Sequence, residues 1–481
     1  MIDLALERVK AEDSKRRAEL EAQRSDAEAA HAALAEKQRL RASRVFYHFG
    51  RLPVEIAHTI FTLVVAEDHA RVVVLGQVCR DWRRVVVEMP SLWTHLSLST
   101  VNPTVKAALW KARSKGKLKA LCVHSGDAKI MWALQVLETL PPDHLRTLSL
   151  AEVNFGAFRR QLPLLSHQVI CRLDTLELHD PLLSLDLYWL FHPPTLQLRT
   201  LVVRGVPIRW GDLAERCEQL TTLSYHGCFN ATYLHDLVWL LQRNSDLAVV
   251  ELIGSENVMS RKYMPFGSVS LSTSSPDQVS LSALTKLSLG GPFLGSDIFC
   301  KLICTNLRSL HISRWIGTID TALEHALATA SPTHLEELII DRCSLSDPTT
   351  LVHFLESAKS LKFLHLLGLT RAAPVFEALG EPRSNGFLCP QLTHLNVTHS
   401  YDLRDGPLLR IVKARLPSES PLTDEAAQDD TTHIFPRPTQ LVSLILDGCQ
   451  SVSADILPWL RQKVPHVSCQ FATKRQAKWK R

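Results

Sequence analysis

The chain of 481 residues lacks the sequence features of several protein classes. No apolar run approaches the ~18 residues of a membrane span, and the valine-rich patch Val72–Val78 is bracketed by Arg71 and Arg80. The 11 cysteines are an odd number with no Cys-x-x-Cys pair, which argues against a disulfide scaffold. The first residues lead into charged side chains rather than an apolar signal segment. We therefore expect an intracellular protein in a reducing compartment, with no membrane contact.

Motifs that carry chemistry are also missing. There is no Gly-x-Ser-x-Gly elbow, no His-Glu-x-x-His zinc motif and no P-loop. Gly290–Gly295 misses the dinucleotide fingerprint, because Pro292 and Phe293 stand where a phosphate needs an open backbone turn. Cys300 and Cys304 are one helical turn apart, but no nearby His or second Cys pair completes a metal site. We expect a non-enzymatic protein without cofactor or metal.

Charge and composition narrow the class further. Lys and Arg number 54 against 49 Asp and Glu, a net charge of +5, which gives little support to nucleic-acid binding through a basic surface. Apolar residues make up 46% and charged residues 21%, as in folded chains. A single hydrophobic core stops growing near ~250–300 residues. Recurrent leucine clusters instead indicate a repeat architecture.

The N-terminal segment predicts a long exposed helix. Residues 1–49 contain no glycine or proline and are rich in Ala, Glu, Lys and Arg, and we assign the helix to 1–46. Its heptad frame has one sparse seam, made of Ile2, Leu6, Val9, Leu20 and Leu34. Because polar residues interrupt the seam, we favour a solvated lead-in helix. A homodimeric coiled coil is the alternative.

Residues 50–95 have the character of a small helical unit. Gly50 ends the first helix, and Pro53 suits the first turn of the next one. There Ile56, Ile60 and Leu63 are spaced to form one apolar face. A second helical segment carries apolar side chains at three- and four-residue steps, namely Leu75, Val78, Cys79, Trp82 and Val86. Since about 45 residues cannot bury all of these, apolar surface should remain for a partner.

These segments together resemble an F-box. The family pattern opens with Leu-Pro-x-Glu-Ile at Leu52–Ile56 and continues with the Ile60-Phe61 pair. An apolar-x-x-Val-Cys-x-x-Trp-Arg segment follows at Leu75–Arg83, and Pro-x-Leu-Trp closes the pattern at Pro90–Trp93. The ending and the Ala-rich lead-in look most like fungal F-box proteins. We place this small all-α domain at 47–95.

The resemblance implies an adaptor-binding surface. F-box helices dock on a Skp-family adaptor, which connects them to a cullin scaffold. Carried onto this sequence, the interface and the packing that supports it comprise Leu52, Pro53, Glu55, Ile56, Ile60, Leu75, Val78, Cys79 and Trp82. Glu55 is expected at the polar rim.

From residue 118 onward a Leu-x-x-Leu-x-Leu template recurs. It starts at twelve leucines, 22 to 49 residues apart: Leu118, Leu145, Leu173, Leu198, Leu220, Leu247, Leu284, Leu307, Leu335, Leu361, Leu392 and Leu441. This is the period of leucine-rich repeats, with one short strand and a helix per turn. We predict an α/β fold over 96–470, a solenoid of about 12 repeats whose strands form one curved parallel sheet with outer helices.

Cysteines add a second sign of the repeat. They stand at the ninth template position or before the strand, at Cys228, Cys343, Cys449, Cys217, Cys304 and Cys389. Buried thiols suit the tight turn after each strand, and the pattern resembles the cysteine-containing class of leucine-rich repeat. Between the strands, apolar spacing predicts helices over Thr232–Gln242, Asp297–Leu302, Ile319–Leu327, Thr349–Ser357 and Ala454–Leu460.

Three segments depart from the repeat. The Ser-rich interval near 254–280 and the acidic, Pro-rich interval near 415–440 predict loops. The tail 471–481 carries five basic residues from Lys474 onward. It is either a nuclear import or acidic-surface contact signal or, as we favour, a solvated end. The expected localisation is cytoplasmic, and also nuclear if the tail directs import.

Polar residues beside the buried strand positions should face away from the core. On the concave face, the candidate substrate-binding residues are Glu177, His179, Arg204, His226, Glu251, His311, Glu337, Asp341, His365 and His394. Two interpretations stay open. Solenoids bind partners on such faces, and polar side chains there also keep an exposed sheet soluble.

An F-box followed by leucine-rich repeats resembles the substrate-recognition subunit of a Skp–cullin–F-box ubiquitin ligase. Such a receptor holds an unknown protein substrate near a ubiquitin-loaded partner, which raises its effective concentration. An F-box scaffold acting outside a ligase needs the same adaptor surface and is the alternative. An enzyme with a site between repeats lacks convergent catalytic groups. A nucleic-acid binder using the basic tail would show strongly salt-dependent association.

Overall fold

The computed structural model describes residues 15–16, 20–40, 52–99, 101–124, 144–151, 172–179, 196–205, 208, 210–227, 234–254, 278–291, 298–315, 317–329, 332–383, 386–416 and 438–470. The chain divides into two compact units. One comprises Met1–His95 with Leu109–Lys117, and the other Leu96–Ala108 with Leu118–Arg481. Most of the loops predicted near 254–280 and 415–440, the whole basic tail 471–481 and Cys228 lie outside the described residues.

The described part of the N-terminal segment is a helix over residues 20–40. All of its described side chains are exposed, Leu20 and Leu34 to 61% and 54%. Ile2, Leu6 and Val9 of the predicted seam lie outside the described residues. The coiled-coil alternative therefore stays a prediction.

Three helices and a 3₁₀ turn follow in the first unit. They are α1 (Val54–Glu67), α2 (Arg71–Val78), α3 (Arg80–Glu88) and the turn Pro90–Trp93. The second predicted helical segment is thus two helices, because Cys79 between them has an extended backbone (φ −156°, ψ 175°). The Cys79 thiol accepts a hydrogen bond from Trp82 N at 3.5 Å and caps α3. Apolar spacing continues across this break, so periodicity did not reveal it.

The core of the first unit forms on one side of α1. Ala57, Phe61 and Val65 are buried there, together with Leu92 and Trp93 of the turn. The Trp93 indole donates to the Val86 carbonyl at 2.8 Å. Its ring meets Trp110 of α4 (Pro103–Arg113) edge-on, at a centroid distance of 4.8 Å. Large aromatic rings such as these bury much apolar area per residue, which a unit of this size needs for its core.

In the described residues, the second unit is built on one open 14-stranded sheet whose strands follow each other in chain order. Two further short strands, β8 (Val279–Ser280) and β10 (Leu302–Ile303), form a separate pair. The strands are β1 (His95–Leu98), β2 (Ala120–Val123), β3 (Thr147–Ala151), β4 (Thr175–His179), β5 (Thr200–Arg204), β6 (Thr222–Gly227), β7 (Val249–Gly254), β9 (Lys286–Gly290), β11 (Ser309–Ser313), β12 (Glu337–Asp341), β13 (Phe363–Leu367), β14 (His394–Asn396), β15 (Ser443–Ile445) and β16 (His466–Ser468). Neighbouring strands from β2 to β16 are parallel. The prediction of one long parallel sheet is confirmed.

Each of the twelve template leucines stands two residues before a strand. Leu118 precedes Ala120 at the start of β2, for example, and Leu441 precedes Ser443 at the start of β15. The fourth and sixth template positions point to one side of each strand and are buried, as Leu338 and Ile340 show at 0% exposure. The end strands β1 and β16 lack the template and were missed.

Helices cover connections of the sheet. They are α5 (Trp210–Arg216), α6 (Leu234–Arg243), α7 (Asp320–Thr329), α8 (Pro348–Ser357), α9 (Ala373–Gly380), α10 (Asp405–Ala414) and α11 (Leu457–Lys463), with 3₁₀ turns at Pro332–His334 and Ala454–Ile456. Within the helix predicted over Asp297–Leu302, the described residues Ile298 and Phe299 are helical, but the predicted end is wrong. Leu302–Ile303 is instead a short strand, β10, that pairs in parallel with β8 (Val279–Ser280).

Candidate binding surfaces

Helix α1 is apolar on two sides, and only one side enters the core. Phe61 is fully buried, whereas its neighbour Ile60 is 37% exposed. Ile56 and Leu63 are 47% and 64% exposed. The predicted apolar face of Ile56, Ile60 and Leu63 therefore forms, but it lies on the surface. Exposed aliphatic side chains spaced along one helix are typical of a protein-binding face.

The predicted adaptor residues divide into exposed and supporting groups. Leu52, Pro53, Glu55, Ile56, Ile60 and Val78 are exposed, Cys79 and Trp82 are partly buried, and Leu75 is buried. Pro53 lies just before α1 and caps it, rather than within its first turn. Pro53 also accepts the backbone N–H of Ile56 through its carbonyl at 3.0 Å. The exposed face thus starts at Ile56, in the first turn of α1.

Contacts beneath this surface fix the three helices to one another. The ring centroids of Phe61 and Trp82 are 5.0 Å apart, and the Arg83 Nε donates to the Gly76 carbonyl at 2.8 Å. Exposed Val54 and Val74, at 49% and 59%, were not among the predicted residues. Their apolar character was the available signal, but the family pattern does not name their positions.

A second surface is the polar face of the sheet, the side opposite the buried leucines. Strand register aligns its side chains in three rows. The amino row includes Thr175, Thr200, Thr222, Val249, Lys286, Ser309, Glu337, Phe363 and His394; the middle row includes Glu177, Val202, Ser224, Glu251, Ser288, His311, Ile339, His365 and Asn396; the carboxyl row includes His179, Arg204, His226, Ile253, Gly290, Ser313, Asp341 and Leu367.

All ten predicted substrate-binding residues lie in these rows. Glu337 and His394 belong to the amino row, and Arg204 and Asp341 are among those in the carboxyl row. The alternation of strand side chains was sufficient to place them. Apolar Ile339, Phe363 and Leu367 share the face and were not predicted. The role of these residues in binding stays a prediction.

Glu251 is the centre of a polar cluster on this face. Its carboxylate accepts from Lys286 Nζ at 2.7 Å and from Ser224 Oγ at 3.0 Å, and His226 Nε2 lies 3.9 Å away. Burial acts to raise the pKa of Glu251, but the hydrogen bonds from Lys286 and Ser224 outweigh it and hold this pKa below its usual value. Glu251 is thus ionised and joins three adjacent strands. Lys286 was not among the predicted binding residues, although it stands two residues after the template leucine Leu284 and therefore belongs to the amino row.

Four histidines on the polar face favour the neutral form. Burial lowers the pKa of His179, His226, His311 and His365. For His226, the charge of Arg204 acts in the same direction, and Glu251 opposes both. Near neutral pH these imidazoles therefore offer one hydrogen-bond donor and one acceptor rather than a positive charge.

The five repeat cysteines in the described part of the chain are structural. Burial raises the pKa of Cys217, Cys304 and Cys389 to about 12, and that of Cys343 and Cys449 to about 11. The Cys449 thiol donates to the Val397 carbonyl at 3.0 Å. Thiols with such values are not nucleophiles.

Within the described ranges, His, Cys, Asp and Glu side chains form no group of three or more suited to a metal ion. No helix among these residues has both the length and the apolar character needed to cross a membrane.

Comparison with known families assigns one part of the chain. The F-box-like family matches residues 49–99, which include α1, α2, α3 and the turn at Pro90–Trp93. Domains of this family generally bind Skp-family adaptors, so the match indicates an adaptor-binding role for the first unit. No curated protein matches the chain.

Proposed function

We propose that the chain is the substrate-recognition subunit of a Skp–cullin–F-box type ubiquitin ligase. The observation that carries the proposal is the exposed apolar side of α1 in the F-box-like match, where Ile56 and Ile60 are 47% and 37% exposed. Exposed aliphatic surface of this kind is removed from water when a partner covers it. The adaptor is that partner, and through it the cullin.

In this proposal the second unit is a leucine-rich repeat solenoid that holds a protein substrate on its polar face. The supporting observations are the twelve strands that follow template leucines and the parallel pairing in chain order. Repeats of one strand and one connection stack in this way, each burying its apolar side against its neighbours. The polar rows then offer a long surface for one partner.

The receptor carries out no chemistry itself. It acts inside the cell by holding the substrate close to a ubiquitin-loaded partner, so that transfer becomes effectively intramolecular. The half-buried rows with mixed charge suit recognition of a protein surface, whose polar rim needs both donors and acceptors.

The test is co-purification of the full chain with a Skp-family adaptor and a cullin. Ile56→Ser combined with Ile60→Ser should abolish adaptor recovery, while circular dichroism and the melting temperature stay close to wild type. Val101→Ser with Val105→Ser is the matched control, because these valines are 72% and 70% exposed but lie outside the family match. Adaptor binding by a folded Ile56/Ile60 variant contradicts the assigned surface. Recovery of adaptor without cullin favours the scaffold alternative.

A further inference from the structure

The polar face changes character over four neighbouring strands, β11 to β14. Its paired side chains there are Ser309, His311 and Ser313, then Glu337, Ile339 and Asp341, then Phe363, His365 and Leu367, and then His394 and Asn396. Two of these are carboxylates, three are large and apolar, and none is a lysine or an arginine. On a chain with a net charge of +5, this part of the face is thus acidic and apolar.

The two carboxylates lie on one strand with an apolar residue between them. Glu337, Ile339 and Asp341 alternate with the buried positions of β12, so their side chains point to the same face in steps of about 6.6 Å. The Cα atoms of Glu337 and Asp341 are therefore about 13 Å apart. All three residues are half-buried, which leaves part of each side chain accessible to a partner.

Apolar side chains lie beside both carboxylates. Strand register pairs Glu337 with Phe363 and Asp341 with Leu367 in β13. The Phe363 ring stacks on the His394 imidazole of β14, at a centroid distance of 4.4 Å and an interplanar angle of 28°. The aliphatic stem of a lysine or arginine can pack on such neighbours while its charged end reaches the acid.

Both carboxylates can still accept a cation. Glu337 Oε2 accepts from the neutral Ser309 hydroxyl at 2.6 Å, and a carboxylate has about four acceptor sites in all. Asp341 Oδ1 lies 3.8 Å from Arg342 Nε, and the Arg342 side chain is 62% exposed. Because an ion pair of this length at an exposed side chain contributes little, a partner cation can replace it.

The cations at the amino edge of these strands are paired with a different acid. Arg308 and Lys362 directly precede β11 and β13 in the chain. Both donate to the Glu336 carboxylate, at 3.3 and 3.1 Å. Their charge is thus largely balanced by Glu336, and that of Glu337 remains for a ligand.

The histidines within this part of the face do not cancel its negative charge. His311 and His365 stand on either side of Ile339 in the middle row. Burial lowers the pKa of both imidazoles, so near neutral pH they supply hydrogen-bonding groups rather than positive charge.

We propose that Glu337, Ile339, Asp341, Phe363 and Leu367, here named the acidic-apolar patch, bind a segment of the protein substrate in which Lys or Arg stands two residues before and two residues after an apolar residue. This inference rests on the proposed function, because it names the chemistry of the substrate that the second unit would hold. An extended segment lying along β12 has the same alternation and rise as the strand. Its basic, apolar and basic side chains therefore meet Glu337, Ile339 and Asp341 in turn, and the symmetric pattern fits in either chain direction.

The first test compares two variants of the full chain that lose the same charge. Glu337→Gln with Asp341→Asn removes both charges of the acidic-apolar patch and keeps the side-chain shapes. Glu324→Gln with Asp455→Asn is the matched control, because these exposed acids lie on α7 and in the turn Ala454–Ile456, outside the rows of the polar face. Since both variants have the same net charge, long-range attraction of a cationic probe is the same.

The probe is a fluorescein-labelled peptide with the core Lys-Ser-Leu-Ser-Lys, followed by fluorescence anisotropy at physiological ionic strength. We expect the patch variant to bind it about tenfold more weakly than wild type, and the control variant less than about twofold more weakly. Melting temperatures close to wild type in both variants show that lost binding is not lost folding.

The second test uses the wild-type chain alone and does not depend on how any variant folds. A peptide of the same composition with the core Lys-Lys-Leu-Ser-Ser keeps the charge but changes the spacing, and we expect it to bind at least about fivefold more weakly. Replacing Leu by Ser in the first peptide should weaken binding about tenfold, because the apolar contact with Ile339 is lost.

Equal binding of the two lysine orders overturns the proposal, because charge alone is then sufficient. Absence of binding to wild type, or equal weakening in the two charge variants, also overturns it. Tighter binding of a Glu-Ser-Leu-Ser-Glu peptide does so too, since the face then takes acidic segments. Adaptor co-purification is measured on the same samples. The patch variant should retain it, and failure of the wild-type chain to recover adaptor contradicts the proposed function while leaving the peptide result intact.

Discussion

The rings of Phe61 and Trp82 pack at a centroid distance of 5.0 Å with a tilt of 58°, and this contact joins the first and third helices of the F-box-like unit. Phe61 stands next to Ile60 in the chain, yet one is fully buried and the other is 37% exposed. Of these two adjacent residues, Phe61 thus contributes to the core of the unit, and Ile60 contributes to its surface.

Phe61→Ala and Ile60→Ala should therefore differ in stability. Loss of the buried ring costs about 3–5 kcal/mol, whereas truncating the half-exposed isoleucine costs less than about 1 kcal/mol. Hydrogen exchange of α1, α2 and α3 in the full chain measures the difference. Similar deprotection in the two variants would show that Ile60 belongs to the core and not to a binding surface.

Asn244 is expected to be essential for the stability of the sheet unit. Its buried side chain donates to the Cys217 and Leu240 carbonyls at 2.9 and 2.8 Å and accepts from Leu220 N at 2.8 Å. Asn244→Ala leaves these groups unpaired and should lower the free energy of unfolding by about 2–4 kcal/mol. Urea unfolding measures the loss.

The control is Asn306→Ala, which removes one exposed hydrogen bond, to the Ser282 carbonyl at 2.7 Å. We expect a change of about 0.5 kcal/mol. An equal effect at both positions would mean that the buried network of Asn244 contributes nothing beyond a surface bond.

Stability should decrease as pH falls below the ordinary histidine range. Burial lowers the pKa of His311 and His365, so the folded state favours their neutral form. The stabilisation is complete above the unfolded pKa of about 6.5 and is lost as pH falls through the lower folded pKa. The melting temperature at pH 7 and pH 5 should therefore differ less in His311→Gln with His365→Gln than in wild type.

Exposed His334 and His353 provide the control pair for this experiment. Both are changed to Gln, which removes the same number of imidazoles without touching the buried pair. If the control pair reduces the dependence as much as the buried pair does, burial is not its cause.

Asp320 at the start of α7 should stabilise the fold in its charged form, whereas His311 and His365 do so in their neutral form. Its carboxylate accepts from Ser346 N and Oγ at 2.8 and 2.6 Å and from Asp347 N at 3.2 Å. Burial acts to raise the pKa of Asp320, but the Ser346 hydrogen bonds outweigh it and lower this pKa. Asp320→Asn should cost about 2 kcal/mol at neutral pH.

The sign of the pH effect follows from the lowered pKa. The stabilisation by ionised Asp320 is complete above the unfolded value of about 3.9 and disappears as pH falls through the folded pKa. The difference in unfolding free energy between wild type and Asp320→Asn should shrink over that acidic range. A difference that stays constant there would assign the effect to shape rather than charge. Exposed Asp455→Asn serves as the neutral control.

The regular part of the fold was predictable because burial alternates along each strand. Leu-x-x-Leu-x-Leu places two buried side chains on one side, and this alone located twelve strands and the polar face that contains Glu251 and His311. The predicted solenoid class rests on the same pattern. The end strands β1 and β16 each have only one neighbour, and without the template they were not recognisable.

The exposed face of α1 was less predictable for a physical reason. Periodicity shows that Ile56, Ile60 and Leu63 share a side of a helix, but it cannot show that Phe61 enters the core instead. The break at Cys79 depends on a backbone conformation and a thiol cap rather than on apolar spacing. Likewise, apolar spacing does not identify Arg314 as left-handed.

The agreement between strand order and chain order determines how the second unit would come apart under load. In the described sheet, every strand between the two ends pairs with the sheet strands that precede and follow it. A force pulling the ends of this unit in an optical trap would therefore peel strands from β1 or β16 one at a time. The extension curve should rise in many small steps, each releasing the length of one repeat, instead of a single rupture.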